Sequence, residues 1–191
     1  MRVLCCLLEE ASAKCMLEAV LPRIIPNDIS VRYMVFEGKQ DLDRNVELKI
    51  RAWNVPNTVF LVLRDKDSAN CVEIKNRLIE KIKRTGKQDH ALVRIACCEL
   101  ETFYLGDLFA VEKGMGLSNL AKMQRTHKYR TPDALGNAAQ ELKLLTKDKY
   151  QKINGSRSIA PYLDLNDVNC SHSFKVLISG VKKLIRILEA V

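Results

Sequence analysis

The sequence predicts an α/β fold with a central, mostly parallel four-stranded sheet, flanked by helices and followed by a helical C-terminal extension. Strand-like segments recur at residues 2–8, 31–36, 58–63 and 91–97. The first is a short, continuous apolar run of the kind that forms a buried strand. Helix-like segments lie between them, and this alternation indicates parallel strands joined by right-handed crossovers.

Three helices are expected to join these strands. The first begins near Ser12 and runs to about Ile25, with Pro22 bending or ending it. The second is a polar, amphipathic helix over residues 42–53. The third covers residues 69–84 and ends before a glycine.

After the fourth strand the sequence predicts mainly helices. These are expected over residues 99–109, 132–145 and 156–163, and in a final helix that opens at Ser171 or Ser173. The final helix carries an apolar stripe, which is either core or an oligomer seam that would support a homodimer. We therefore expect an α/β core over residues 1–112 and a helical extension over residues 113–191, packed together as one structural unit.

Composition sets the protein class. The chain has 191 residues, of which 47% are hydrophobic, enough for a full core. No apolar stretch reaches 18 residues, and the first apolar run is too short for a signal peptide, so we expect a cytoplasmic protein with no membrane segment. The seven cysteines form no CxxC pair and are interpreted mainly as small buried thiols.

The net charge of +8 and the isoelectric point near 9.2 favour a polyanionic partner such as nucleic acid. The alternative is that the lysine-rich helix faces are merely solvated. The chain contains no GxSxG, GxxxxGK[ST] or GxGxxG motif, so serine hydrolases, P-loop NTPases and dinucleotide enzymes are disfavoured.

Acidic residues follow two of the predicted strands. Asp65 and Asp67 come after the third strand, and Glu9 and Glu10 come after the first. Ligands bind at the carboxyl edge of an open α/β sheet, and carboxylates that converge there suit a hard cation such as Mg²⁺. The alternative interpretation is that these acids only cap the helices that follow.

A second set of candidates lies further along the chain. Glu99 and Glu101 follow the fourth strand, and Glu99 could add a ligand for a second metal ion at the same edge. In the basic segment 150–158, Lys152 and Arg157 are candidates to bind phosphate or to stabilise a leaving oxygen. The Asn-Gly pair at 154–155 favours a turn there. The alternatives are that Glu99 and Glu101 are solvated or cap a helix, and that segment 150–158 is an ordinary surface loop.

Taken in order, these motifs resemble the TOPRIM domain of topoisomerases, primases and OLD-family nucleases. The likeness rests on the glutamate after strand one (LEEAS), Asp-x-Asp after strand three (LRDKD), and the later segments RIA, ELETF, YQK and SRSIAP. They are similar to a small prokaryotic TOPRIM-like family of unknown function, often encoded beside ABC- or AAA-type ATPases. The resemblance spans most of the chain and implies a Rossmann-like TOPRIM fold.

The resemblance assigns roles to residues. It implies that Glu9 is a metal ligand or general acid/base and that Asp65 and Asp67 are the metal-binding pair. In OLD-type nucleases a later acid and a basic residue complete a two-metal site, and Glu99 or Glu101 with Lys152 are the candidates here. Separately from the resemblance, Lys14, Lys152 and Arg157 are the candidate substrate-binding residues. Glu10 stands where TOPRIM domains often have Gly or Ser, so the active glutamate is either Glu9 or Glu10.

The resulting hypothesis is a Mg²⁺- or Mn²⁺-dependent TOPRIM nuclease that cuts DNA or RNA, as the effector of an ATPase in phage defence. The alternative is a non-catalytic subunit that binds nucleic acid or docks onto an ATPase. A metal-dependent phosphotransferase or hydrolase acting on mononucleotides is a third possibility.

Overall fold

The computed structural model describes residues 1–66 and 70–190. Its four strands are β1 (Arg2–Leu8), β2 (Ile29–Val35), β3 (Thr58–Asp65) and β4 (Ala91–Ala96). All neighbouring strands are parallel, in the order β2-β1-β3-β4. The central strands β1 and β3 are buried along almost their whole length, as expected for a sheet covered on both faces.

Eight α-helices accompany the sheet in the described part of the chain. They are α1 (Ala11–Val20), α2 (Lys39–Arg51), α3 (Cys71–Lys83), α4 (Glu101–Leu105), α5 (Leu108–Gly114), α6 (Ala138–Leu145), α7 (Lys152–Ile159) and α8 (His172–Glu189). The first three join successive strands, and the other five follow β4. None of the helices in residues 1–66 and 70–190 combines the length and apolar character that crossing a membrane requires.

The two faces of the sheet bury separate apolar clusters. One face carries side chains such as Leu7 and Val62, which α2 and α3 cover. The other carries Leu4 and Leu61, which α1, α8 and the remaining helices cover. Successive strand residues point to opposite faces, so the continuous apolar runs of β1 and β3 fill both clusters.

The apolar stripe of α8 is core rather than a seam between subunits. Phe174, Leu177, Val181 and Leu184 are essentially inaccessible to solvent and lie within the larger cluster. These helix positions therefore bury their apolar area inside the chain, and they offer no surface for the homodimer suggested by the sequence pattern.

Several boundaries differ from the prediction, each for a local reason. The first helix ends at Val20 and a 3-10 turn containing Pro22 follows, because proline lacks the N–H that would continue the helix. The helix predicted over 99–109 is instead α4 and α5, and the Asp107 side chain caps the second by accepting from Ala110 N–H at 3.0 Å.

Two features of the extension also differ from the prediction. The helix expected over 132–145 is a 3-10 turn at Pro132–Ala134 followed by α6, with Gly136 in the break between them. The Asn154-Gly155 pair, predicted to form a turn, lies inside α7. Local turn propensity is overridden there by packing around Tyr150.

Candidate functional site

The carboxyl ends of β1 and β3 lie side by side, and the chain places an acid at each. Leu8 pairs with Leu63, and the Glu9 N–H donates to the Leu63 carbonyl at 3.3 Å. The Asp65 N–H in turn donates to Oε2 of Glu9 at 3.1 Å. The topology thus brings Glu9 into contact with the end of β3, next to Asp65.

Asp65 is the last residue of β3, two residues beyond the predicted end of the strand. Burial raises the pKa of its carboxyl group well above the usual range. The negative charges of Glu9, Glu10 and Glu101 raise this pKa further, and a hydrogen bond with the Leu100 backbone opposes them only in part. The ionised form of Asp65 is therefore costly, and a cation at this point would stabilise it.

Glu101 lies in the first turn of α4 and is 0% exposed. The Tyr150 hydroxyl donates to its Oε1 at 2.8 Å, whereas its Oε2 has no hydrogen-bond partner within residues 1–66 and 70–190. Burial raises the pKa of Glu101, and the Tyr150 hydrogen bond and the charge of Lys152 counteract this. A buried carboxylate oxygen without a donor is expensive unless a ligand satisfies it.

Lys152 is the first residue of α7 and lies close to these acids. Its Nζ donates to the two oxygens of Glu10 at 3.1 and 3.4 Å. Burial would lower the pKa of Lys152, but the charges of Glu101, Glu10 and Asp65 outweigh it, so the pKa is raised. Lys152 is therefore held in its cationic form by the acids around it.

The neighbouring glutamates Glu9 and Glu10 turn toward different partners. Glu9 contacts β3, as described above, whereas Glu10 pairs with Lys152 and accepts a short hydrogen bond from the Ser12 hydroxyl. Glu10 also occupies the N-cap position of α1, but its side chain makes no capping hydrogen bond. This geometry favours Glu9 over Glu10 as the glutamate that acts together with Asp65.

Tyr150 is a site residue that sequence reasoning missed, and its position depends on Gly155. A Cβ on Gly155 would lie 2.2 Å from Cδ2 of the Tyr150 ring, so only glycine lets the ring pack against α7. The ring is buried, and its hydroxyl reaches Glu101. A tyrosine in a basic segment has no distinctive pattern, so the sequence carried no signal for this role.

Glu99, a predicted metal ligand, stands apart from the group just described. The Glu99 carboxylate accepts from the Ala139 N–H at 2.7 Å, near the start of α6, which is the capping arrangement considered as its alternative role. Asp67 lies outside the described residues, so the predicted Asp65/Asp67 pair is seen only through Asp65.

The other two predicted phosphate-binding residues lie on the packed helices α1 and α7. Lys14 forms an ion pair with Glu18 at 3.6 Å. Arg157 is exposed, and its Nη2 lies 3.8 Å from Sγ of Cys15 on α1. Among the described residues neither side chain forms a hydrogen bond or ion pair with Glu10, Asp65 or Glu101, so any contact that they make with phosphate would be on the flank of the site.

The acids match the donor chemistry of Mg²⁺ or Mn²⁺, since both ions prefer carboxylate oxygens. Oε2 of Glu101 has no hydrogen-bond partner among the described residues, and the charge of Glu101 helps to raise the pKa of Asp65, so this oxygen is the clearest candidate for a metal ligand. As they stand, however, no three His, Cys, Asp or Glu side chains within the described ranges are arranged to hold a metal ion. The donor set therefore fits a divalent ion, while a closed coordination sphere would need side-chain movement or ligands outside those ranges.

Comparison with known proteins supports the fold. The C-terminal region of the Burkholderia pseudomallei OLD protein matches over 95% of this chain and 98% of that chain, with a TM-score of 0.55 and 17% sequence identity. At this identity the likeness shows the fold alone, and it confirms the predicted α/β class and an OLD-related architecture. No curated protein matches in sequence. The domain-of-unknown-function family DUF4276 matches residues 8–182, which is most of the chain, and the protein belongs to that family.

Proposed function

We propose that this protein is a Mg²⁺- or Mn²⁺-dependent nuclease that hydrolyses phosphodiester bonds in DNA or RNA. The observation that carries the proposal is the convergence of Glu9, Asp65 and Glu101 at the carboxyl edge of the sheet, with Lys152 facing them. The protein as a whole carries a net charge of +8, so this acidic group stands out against a basic background. Such an enzyme needs a cluster of acidic side chains to bind the metal and basic side chains over its surface to bind the phosphate backbone.

Glu9, Asp65 and Glu101 are the described residues that would hold the metal, and Asp67 is the further ligand that the TOPRIM resemblance implies. A bound divalent ion would neutralise charge on the attacked phosphate and lower the pKa of a water nucleophile. Relief of the repulsion among the carboxylates would favour binding of the ion, because the same repulsion raises the pKa of Asp65.

Lys152 would bind a phosphate oxygen. Its ammonium group pairs with Glu10 and is attracted by Glu101 and Asp65, so the half-exposed side chain is held at the acids. A phosphate beside the metal would lie within reach of that charge, which would stabilise negative charge developing on the phosphoryl group. Lys14 and Arg157, on the adjoining helices, would contact the flanking backbone.

The test is cleavage of supercoiled plasmid, single-stranded DNA and RNA in Mg²⁺, Mn²⁺ or EDTA. Asp65→Asn keeps the shape of the side chain and removes its charge. The matched control is Asp89→Asn, an exposed acid in the 3-10 turn before β4, at the opposite edge of the sheet. We expect metal-dependent cutting that Asp65→Asn abolishes and Asp89→Asn preserves. Equal cutting by both folded variants would refute the assignment of the site.

A non-catalytic role as a nucleic-acid- or ATPase-binding subunit is the second candidate. This role is favoured because two of the acids already bind side chains of the same protein: Glu10 pairs with Lys152, and Glu101 accepts a hydrogen bond from Tyr150. It is also favoured by the lack of a ready-made metal site among the described residues. This role predicts that Asp65→Asn leaves nucleic-acid and partner binding unchanged and that the wild type takes up no Mn²⁺.

Under either role, an ABC- or AAA-type ATPase encoded nearby and a place in phage defence are what the family resemblance implies for partners. A nuclease that is silent alone and active when such an ATPase is added would support the effector role. Activity that is independent of the ATPase would limit the protein to a stand-alone enzyme.

A further inference from the structure

A cavity lies near the C-terminal end of α4, whereas Glu101 lies at the start of that helix. The cavity has a volume of about 730 Å³, and its walls combine exposed apolar side chains with three cations. The apolar side chains are Phe109 and Val168, and the cations are Lys122, Arg125 and Arg130. No motif in the sequence analysis pointed to this surface, and the carboxylate site makes no use of it.

Phe109 is the unusual feature of this cavity. It lies on α5 and is 52% exposed, whereas Leu108 and Val111 on the same helix are buried. The Nζ of Lys113 lies 5.4 Å from the centroid of its ring. An exposed aromatic ring among cations is the arrangement on which unpaired bases stack in proteins that bind single-stranded nucleic acid.

The cations of the cavity are available for an anion. Lys122, Arg125 and Arg130 are exposed, and none of them forms an ion pair with an acid within residues 1–66 and 70–190. Several cations clustered on one surface, without acids to neutralise them, favour the binding of phosphate.

The acid in the cavity wall binds backbone N–H groups and does not occupy the cations of the cavity. Asp107 is only 4% exposed, and each of its carboxylate oxygens accepts from a backbone N–H. The donors are Ala110, at 3.0 Å, and Asp164, at 2.8 Å. Its role is to fix the backbone around the cavity.

The segment that carries the cations is held in place by side chains behind it. Oε2 of Glu112 accepts from the N–H groups of Leu120 and Ala121, at 2.8 and 3.1 Å. The Gln124 side chain accepts from the Leu108 N–H at 2.7 Å and donates to the Tyr129 carbonyl at 2.8 Å. The segment is thereby tied to α5, which fixes the backbone that carries the cations relative to Phe109 before any ligand arrives.

We infer that this cavity binds an unpaired nucleotide of a single-stranded nucleic acid, with the base stacked on Phe109 and the adjoining phosphates held by Arg125 and Arg130. This inference deepens the proposed function, because it rests on the nuclease for the claim that the bound strand is the one being cut. Glu101 begins α4 and Asp107 follows its end, a separation of roughly 10 Å at the helical rise. The cavity and the carboxylates therefore lie near opposite ends of one short helix.

The stacking is tested by fluorescence anisotropy with a labelled oligothymidylate and with a duplex of equal length, both in EDTA. Phe109→Leu removes the ring and keeps an apolar side chain, whereas Phe109→Trp keeps a stacking surface. Tyr162→Leu is the matched control, because Tyr162 is an aromatic residue of nearly equal exposure, 51%, outside the cavity.

We expect Phe109→Leu to weaken single-strand binding about 5- to 150-fold, the range for loss of one base stack, and to affect the duplex little. Phe109→Trp should retain the affinity, and Tyr162→Leu should match the wild type. Single-strand binding by Phe109→Leu within twofold of the wild type would overturn the inference. The same holds if the wild type prefers the duplex, because a paired base cannot stack on Phe109.

The phosphate contacts are tested by salt dependence. Arg125→Gln/Arg130→Gln should reduce the slope of log K against log salt by about 1.4, since each single-strand phosphate contact contributes about 0.7. Lys182→Gln/Lys183→Gln removes the same charge from exposed positions on α8. An equal fall in slope for both double variants would show diffuse attraction and would overturn the assigned contacts.

The design separates this inference from the nuclease proposal. Binding in EDTA does not require metal or cleavage, so a protein that never cuts DNA would still show the Phe109 effect if the cavity binds nucleotides. Conversely, metal-dependent cutting that is lost in Asp65→Asn, with no effect of Phe109→Leu on binding, would retain the nuclease and reject the cavity.

Discussion

Removing a single hydroxyl group, in Tyr150→Phe, should destabilise the protein because that hydroxyl is the donor to a buried carboxylate. Glu101 is 0% exposed, and the Tyr150 hydroxyl donates to its Oε1 at 2.8 Å while its Oε2 has no partner within the described residues. The substitution keeps the ring, so it opens little space. A hydrogen bond to a charged group contributes about 1.5–3 kcal/mol to the free energy of unfolding.

For a chain of this length, each kcal/mol shifts the melting temperature by about 2–4 °C, so we expect a fall of about 3–12 °C. The assay is urea denaturation and thermal melting in EDTA at pH 8, with Tyr162→Phe as the control because its hydroxyl belongs to a half-exposed residue. A change below about 0.5 kcal/mol for Tyr150→Phe would refute the reasoning, since that is the level of ordinary surface substitutions.

A double-mutant cycle identifies the partner. If the hydroxyl acts through Glu101, its removal should cost less in a Glu101→Gln background, and the coupling energy should exceed about 0.5 kcal/mol. Strict additivity of Tyr150→Phe and Glu101→Gln would mean that Tyr150 stabilises the fold through its other contacts.

Two further predictions concern the support and the electrostatics of the same site. Gly155→Ala should lower both the free energy of unfolding and the activity, because the added Cβ would lie 2.2 Å from the Tyr150 ring. Overpacking of this kind costs about 1–3 kcal/mol. The higher helix propensity of alanine offsets about 0.5–1 kcal/mol of that cost. Gly136→Ala, whose Cβ would meet nothing within 4 Å, should leave both unchanged, and equal thermal melts of the two variants would contradict the packing argument. Asp65→Asn should stabilise the protein in EDTA at neutral pH but not near pH 4. The pKa of Asp65 is higher in the folded state than in the unfolded state, so the folded protein binds this proton more tightly. The wild type therefore loses stability as the pH rises from near 4, the usual pKa of an aspartate, through the raised pKa of the folded state. Melting of both proteins from pH 4 to pH 8 checks this, and a constant difference across the range would contradict it.

The sheet could be predicted from the sequence because each strand is marked by a short apolar run in its own segment of the chain. The apolar runs before Glu9 and Asp65 mark β1 and β3, and parallel pairing then places their carboxyl ends at one edge. The contact between Glu9 and the Asp65 N–H follows from this topology. This half of the candidate site was therefore accessible from spacing and strand order alone.

The rest of the site depends on contacts between distant parts of the chain. Glu101 and Tyr150 are 49 positions apart, and their hydrogen bond exists because α7 packs beside α1 and α4 brings Glu101 into the interior. Sequence reasoning placed a turn at Gly155, since Asn-Gly usually forms one, and could not foresee that the missing Cβ makes room for a ring. Glu99 and Glu101 look alike in sequence, yet one lies at the start of α6 and the other is buried beside Asp65.

The central claim is that the carboxylates at the edge of the sheet bind a divalent metal ion, and calorimetric titration with Mn²⁺ tests it most directly. The wild type should bind the ion with release of protons, because Asp65 and Glu101 have raised pKa values and must ionise to act as ligands. Asp65→Asn and Glu101→Gln should each weaken binding about tenfold or more, and Asp89→Asn should not. A wild type that takes up no Mn²⁺, or that binds it equally well after Asp65→Asn and Glu101→Gln, would contradict the account.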